Sequence, residues 1–178
     1  MADAIVIPGM TFGPAAGLLM YAAAVTERRG ATVHRHWWSG QPPKPYEPEI
    51  EVWVRDHIGP LLDTVGGNPL LIGKSLGTNA ATIAAERGLP AVWLTPFLTL
   101  PWIANALERA AAPFLLVGGT ADSMWDGALA RRLSPYVLDI EGADHGMQVP
   151  GPVTDSITVL GRVVIALQEF LDAIEWPP

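Results

Sequence analysis

Short apolar runs alternate with longer helical runs from one end of the chain to the other, and no other feature constrains the fold as much. The spacing predicts strands at residues 4–7, 31–38, 70–72, 91–94, 114–117 and 136–140. It predicts helices at residues 14–29, 49–65, 76–87, 102–111, 125–133 and 155–174. Several strands are apolar on both faces, as strands are when helices cover both sides of a parallel sheet. Alternating units of this kind connect with a right-handed crossover. The expected fold class is therefore α/β: a single doubly wound, mostly parallel six-stranded sheet with helices on both faces. Connections are short and no internal repeat is visible, so residues 1–178 read as one domain. The one long irregular stretch, residues 39–48, reads as a rim loop. In such sheets the working residues lie in loops beyond the carboxyl ends of the strands.

Composition removes whole classes of function. Apolar residues make up 49% of the 178 and charged residues 16%, against a usual charged share of about 25%. Such a chain buries a sizeable core and is not disordered. The net charge is −7, and the 11 Lys and Arg cluster no further than pairs such as Arg28 with Arg29. Binding to nucleic acid or to an anionic membrane surface is not expected. Without cysteine there are no disulfides, thiolate metal sites or cysteine nucleophiles. Asp3 and an apolar run that stops at Pro8 do not make a signal peptide. Residues 17–25 are too few to span a bilayer. A cytoplasmic protein is expected.

After the third predicted strand comes Gly73-Lys74-Ser75-Leu76-Gly77, with a helix immediately behind it. A serine on a tight strand-to-helix turn takes a strained backbone, and its hydroxyl projects above the sheet. The flanking glycines let the turn pass close to its neighbours. The alternative is a plain glycine turn in which Ser75 only caps the helix.

A serine nucleophile needs a base, and histidine has the suitable pKa. Of four histidines only His145, in Gly142-Ala143-Asp144-His145-Gly146, follows a strand on the working edge. His34 and His36 read as residues packed on the sheet face or rim, with a metal pair as the alternative; His57 reads as a helix residue. The acid that orients the base is Asp122, in Gly118-Gly119-Thr120-Ala121-Asp122 after the fifth strand, with Asp126 as the alternative. Asp144 is expected to turn away from its neighbour and fix the loop. For the oxyanion, the backbone N–H of Leu76 and that of Met10, in the loop after the first strand, are the expected donors, with Thr11 as a substitute for Met10. The glycines of that loop do not have the spacing of a dinucleotide site, and no phosphate-binding loop is present. No cofactor and no metal are expected.

At these residues the chain resembles the α/β-hydrolase family, in the small cap-less serine hydrolase or esterase form similar to dienelactone hydrolases. The resemblance rests on Pro8-Gly9-Met10, the glycine-flanked Ser75, and the loops that carry Asp122 and His145. The order Ser75, Asp122, His145 matches the family. It implies that the six strands are the family's last six, which leaves one sheet edge bare for a partner subunit and makes a homo-oligomer possible. Two departures follow: Pro8-Gly9 stands where the family often has His-Gly, and no cysteine nucleophile exists. Residues 95–101 leave no room for a helical cap, so an open, shallow pocket is expected.

Aromatic and methionine residues in the rim loops suggest a small apolar substrate. The expected substrate-binding residues are Phe12, Trp38, Phe97, Trp102, Trp125 and Met147. Lys74 reads as a solvated charge, or as a group that steers a carboxylate. The leading expectation is a serine hydrolase that cleaves a carboxylic ester, thioester or lactone through an acyl-enzyme on Ser75. The alternatives are a lyase, a cyclase or a C–C bond hydrolase on the same fold, or a non-catalytic binding protein.

Overall fold

Six strands form one wholly parallel sheet in the order β2-β1-β3-β4-β5-β6 in the computed structural model, which describes residues 2–15 and 17–177. Met1, Pro178 and Ala16, which falls within the first predicted helix, lie outside the described residues. The strands are β1 Asp3–Ile7, β2 Thr32–Arg35, β3 Leu70–Lys74, β4 Ala91–Leu94, β5 Phe114–Gly119 and β6 Tyr136–Ile140. The helices are α1 Gly17–Arg28, α2 Glu49–Val65, α3 Ala81–Arg87, α4 Pro101–Arg109, α5 Gly127–Leu133 and α6 Val153–Ala173.

Period-two alternation sorts the strand side chains into two cores. Ile5, Ile7, Leu71, Trp93, Phe114 and Leu116 face α2, α3, α4 and α5. Ala4, Val6, Ile72, Val92, Leu115 and Val117 face α1 and α6. In α2 the buried Ile50, Val54, Ile58 and Leu62 recur every four residues, which lays one apolar stripe on the sheet. In α6, Val159, Val163, Leu167 and Leu171 do the same on the opposite face.

Two elements differ from the sequence expectation. The second strand ends at Arg35 rather than at residue 38, because Trp37 and Trp38 turn away from the sheet; His36 still donates its N–H to Val6 O at 2.9 Å. The helix behind Ser75 opens with a 3₁₀ turn, Ser75–Ala80, before α3. There Thr78 Oγ1 bonds Ser75 O (2.6 Å) and Asn79 Nδ2 bonds Leu76 O (2.8 Å). These side-chain bonds to the third residue back compete with regular α geometry.

The sheet places the site. From β1 the chain first steps outward to β2, then crosses back to β3 on β1's other side. At such a reversal the loops after β1 and β3 part in opposite directions and open a crevice at the carboxyl edge. Ser75 follows β3, and residues 8–13 follow β1. The connection after β4, from Thr95 to Leu100, is too short to hold a cap. Among the described residues no helix is long and apolar enough to cross a membrane.

Candidate active site

Ser75 has φ 53°, a left-handed conformation that costs a non-glycine residue energy and persists only where neighbours enforce it. The enforcing contacts come from the backbone of β1 and its loop and from the Trp93 ring of β4. A Cβ on Gly77 would lie 2.4 Å from Ile7 O and 2.9 Å from Pro8 O, and one on Gly73 would lie 2.6 Å from the Trp93 ring. Glycine at both positions lets the turn press against β1 and β4. Gly9 also brings the loop after β1 close, though less tightly, since a Cβ there would lie 3.3 Å from Ser75 Cβ.

His145 Nε2 lies 2.8 Å from Ser75 Oγ, and its Nδ1 lies 2.6 Å from Asp122 Oδ2. An ionised carboxylate only accepts, so Nδ1–H donates to Asp122 and Nε2 is left to accept from the Ser75 hydroxyl. The other oxygen of Asp122 accepts from Met124 N at 2.9 Å. Burial of Asp122 would raise its pKa. The hydrogen bonds from His145 and Met124, with the charges of His145 and Lys74, outweigh that and hold it below the usual carboxylate value. The loops that carry Asp122 and His145 are knitted together: Ala121 N donates to Ala143 O (3.0 Å), and Gly142 N to Thr120 Oγ1 (2.8 Å). Asp144 turns away and accepts from Gly146 N and Gln148 N, which closes the His145 loop.

Asp126 is not the carboxylate bonded to His145. It caps α5, accepting from Leu129 N at 2.9 Å. Among the described residues no three His, Asp or Glu side chains come together as a metal site. His34 pairs with Asp3 at 2.8 Å, and His36 packs edge-on against Trp38.

Several solved structures share this architecture. One is a protein of the alpha/beta hydrolase superfamily from Xanthomonas campestris pv. campestris, 23% identical, with a TM-score of 0.67 over 97% of this chain and 99% of that one. Another is an alpha-beta serine hydrolase homologue from Coxiella burnetii (17%, TM-score 0.67, 92% and 84% of the two chains). A third is Est1E from Butyrivibrio proteoclasticus with ferulic acid bound (14%, TM-score 0.72, 96% and 88%). This is the α/β-hydrolase fold. No protein-family model matches the chain, and no curated protein matches it in sequence.

Beside the serine, the α/β-hydrolase fold here holds a cavity of about 640 Å³. Ser75, His145, Leu76, Met10, Phe12 and Phe97 line it. Phe97 lies against the imidazole, with ring centroids 5.5 Å apart and planes 19° from parallel. Four of the expected substrate residues lie elsewhere, each for a definite reason. Trp38 sits behind the loop after β1 and donates to its carbonyls. Trp102 donates to Asn79 Oδ1 at 2.8 Å in the turn behind the serine. Trp125 covers Gly118 and donates to Asp139 Oδ1 at 3.0 Å. Met147 is buried against the α6 face, at a left-handed φ of 60°.

The rest of the wall comes from Leu18 and Leu19 of α1, Pro45 and Tyr46 of the rim loop, and Gln148. The rim loop thus contributes part of the wall. Lys74 is no solvated charge: its Nζ donates to Thr95 Oγ1 and His145 O, both at 3.3 Å, and burial lowers its pKa.

Proposed function

We propose that this chain is a serine hydrolase that cleaves a carboxylic ester, thioester or lactone of a small apolar substrate, without a cofactor. The observation that carries the reading is the unbroken line Ser75 Oγ, His145 Nε2, His145 Nδ1, Asp122 Oδ2, with steps of 2.8 and 2.6 Å at its two ends.

In this reading His145 takes the Ser75 proton as Oγ forms a bond to the substrate's carbonyl carbon. The carbonyl electrons move onto oxygen, and the backbone N–H groups of Leu76 and Met10 receive that charge. The tetrahedral adduct collapses, the bond to the alcohol or thiol breaks, and His145 returns the proton to the leaving group. A water, deprotonated by His145, then attacks the acyl-enzyme, and Ser75 leaves as the free hydroxyl. Asp122 keeps the imidazole in the required tautomer and steadies the imidazolium. Phe12, Phe97, Tyr46, Leu18 and Leu19 support an apolar acyl or alcohol group rather than a sugar or a polyanion.

Stopped-flow hydrolysis of p-nitrophenyl acetate, butyrate and octanoate tests the reading. A burst of p-nitrophenol stoichiometric with enzyme, absent from Ser75→Ala, is the expected result. Turnover that survives Ser75→Ala would refute it.

A further inference from the structure

Trp38 occupies a position that the proposed chemistry gives a use. Its indole Nε1–H is shared between two consecutive carbonyl oxygens of the loop after β1, Pro8 O at 3.1 Å and Gly9 O at 3.3 Å. The Gly9–Met10 peptide is trans. A trans peptide is planar, with its carbonyl oxygen and its N–H on opposite sides. Gripping the oxygen of Gly9 therefore fixes the direction of the Met10 N–H at the other end of the same plane.

The indole is itself held. It packs against His36 (ring centroids 4.5 Å apart, 76° between planes), Trp53 (4.8 Å) and His57 (5.6 Å). His57 is anchored at both nitrogens, to Trp53 O at 2.8 Å and to the Ser39 hydroxyl at 3.3 Å. A chain of packed rings thus runs from α2 to the carbonyls of a loop that has glycine at position 9. Without such a hold that peptide has several orientations open to it.

We infer that Trp38 is the positioning residue of the oxyanion hole, aiming the Met10 N–H by holding the carbonyl of the same peptide unit, and does not contact substrate. The inference rests on the serine-hydrolase reading. Loss of one oxyanion donor slows an enzyme by about 10²–10³-fold. Releasing a donor's orientation is expected to cost about tenfold or more.

The test compares the wild type with Trp38→Phe, which keeps a ring and removes the N–H. A second variant replaces Trp38 by its benzothienyl isostere, in which sulfur stands for N–H and the shape is kept. The probe is a fluorophosphonate: Ser75 Oγ bonds to phosphorus, the P–F bond breaks, fluoride leaves, and the Ser75 proton passes to His145. The phosphoryl oxygen carries the developing charge, so the rate reports on the hole. Thermal midpoints verify folding, and the isostere carries the test if Trp38→Phe does not fold. The expected result is a maximal phosphonylation rate about tenfold or more slower, with kcat on p-nitrophenyl butyrate falling in step and KM unchanged. A wild-type rate in a folded variant, or a raised KM with kcat unchanged, would overturn the inference and leave the hydrolase reading standing. A wild type that the probe does not label would overturn both.

Discussion

His145 Nδ1 meets Asp122 Oδ2 at 2.6 Å, while Asp126, four residues further along, gives its carboxylate to the N–H of Leu129. Two acids on one loop thus divide into a partner of His145 and a helix cap.

Asp122→Asn should therefore lower kcat by about 10²-fold or more, because the imidazole loses the partner that sets its tautomer. Asp126→Ala should leave kcat unchanged and cost about 1 kcal/mol of stability as a lost cap. Ester kinetics and urea melts on the two variants separate the roles. The pH dependence has a definite sign. Asp122 has a folded pKa below its unfolded value of about 3.9, so between those values the unfolded chain binds more protons. Its contribution is complete above about pH 4 and is lost as pH falls through the folded value. The stability gap between wild type and Asp122→Asn should close over that acid range in melts taken against pH.

Two glycine substitutions should act in opposite directions. Gly77→Ala drives a Cβ to 2.4 Å from Ile7 O, where only backbone can give way. It should destabilise by about 3 kcal/mol and reduce activity by separating Ser75 from the loop after β1. Gly161 lies inside α6 with nothing near a Cβ. Gly161→Ala should stabilise by about 0.5–1 kcal/mol with activity intact.

Lys74 holds the His145 carbonyl at the expense of a partly buried charge. Its pKa is lowered, so the folded chain resists protonation there and the penalty is present at neutral pH. As pH rises from the folded pKa to the unfolded value of about 10.4, that penalty disappears. Lys74→Met should raise the thermal midpoint at pH 7, with a gain that shrinks towards pH 10. It should also lower kcat, because the carbonyl of the base loses its donor. A midpoint that falls at pH 7 would contradict this assignment.

Phe12 lines the cavity yet is 74% exposed, so it contributes little to folding. Phe12→Ala should leave stability within about 0.5 kcal/mol. On p-nitrophenyl octanoate it should raise KM about fivefold, the equivalent of about 1 kcal/mol of lost apolar contact. The acetate should show no such change.

The strands were legible because a buried parallel strand is a short, unbroken apolar run, and its register follows from which face is covered. The loops of Ser75, Asp122 and His145 were legible because each follows its strand directly, so topology alone brings them to one edge. The cavity wall was legible only in part: Phe12 and Phe97 line it as expected, and the other four residues do not. Whether a rim tryptophan faces substrate depends on where its N–H finds an acceptor, and Trp102 and Trp125 found theirs in Asn79 and Asp139, far apart in sequence. Leu18, Leu19 and Tyr46 reach the cavity through the docking of α1 and the path of the rim loop, neither of which has a short-range signature. The side chain of Lys74 points to the α6 side, beneath a loop some seventy residues further along the chain.

The central claim is that Ser75 is an activated nucleophile. Fluorophosphonate labelling of the intact protein, with the adduct mapped by peptide mass spectrometry, tests it most directly. One adduct per chain on Ser75, absent from Ser75→Ala and from folded His145→Ala, is the predicted result. A folded wild type that takes up no label, or carries it on another residue, would contradict the claim.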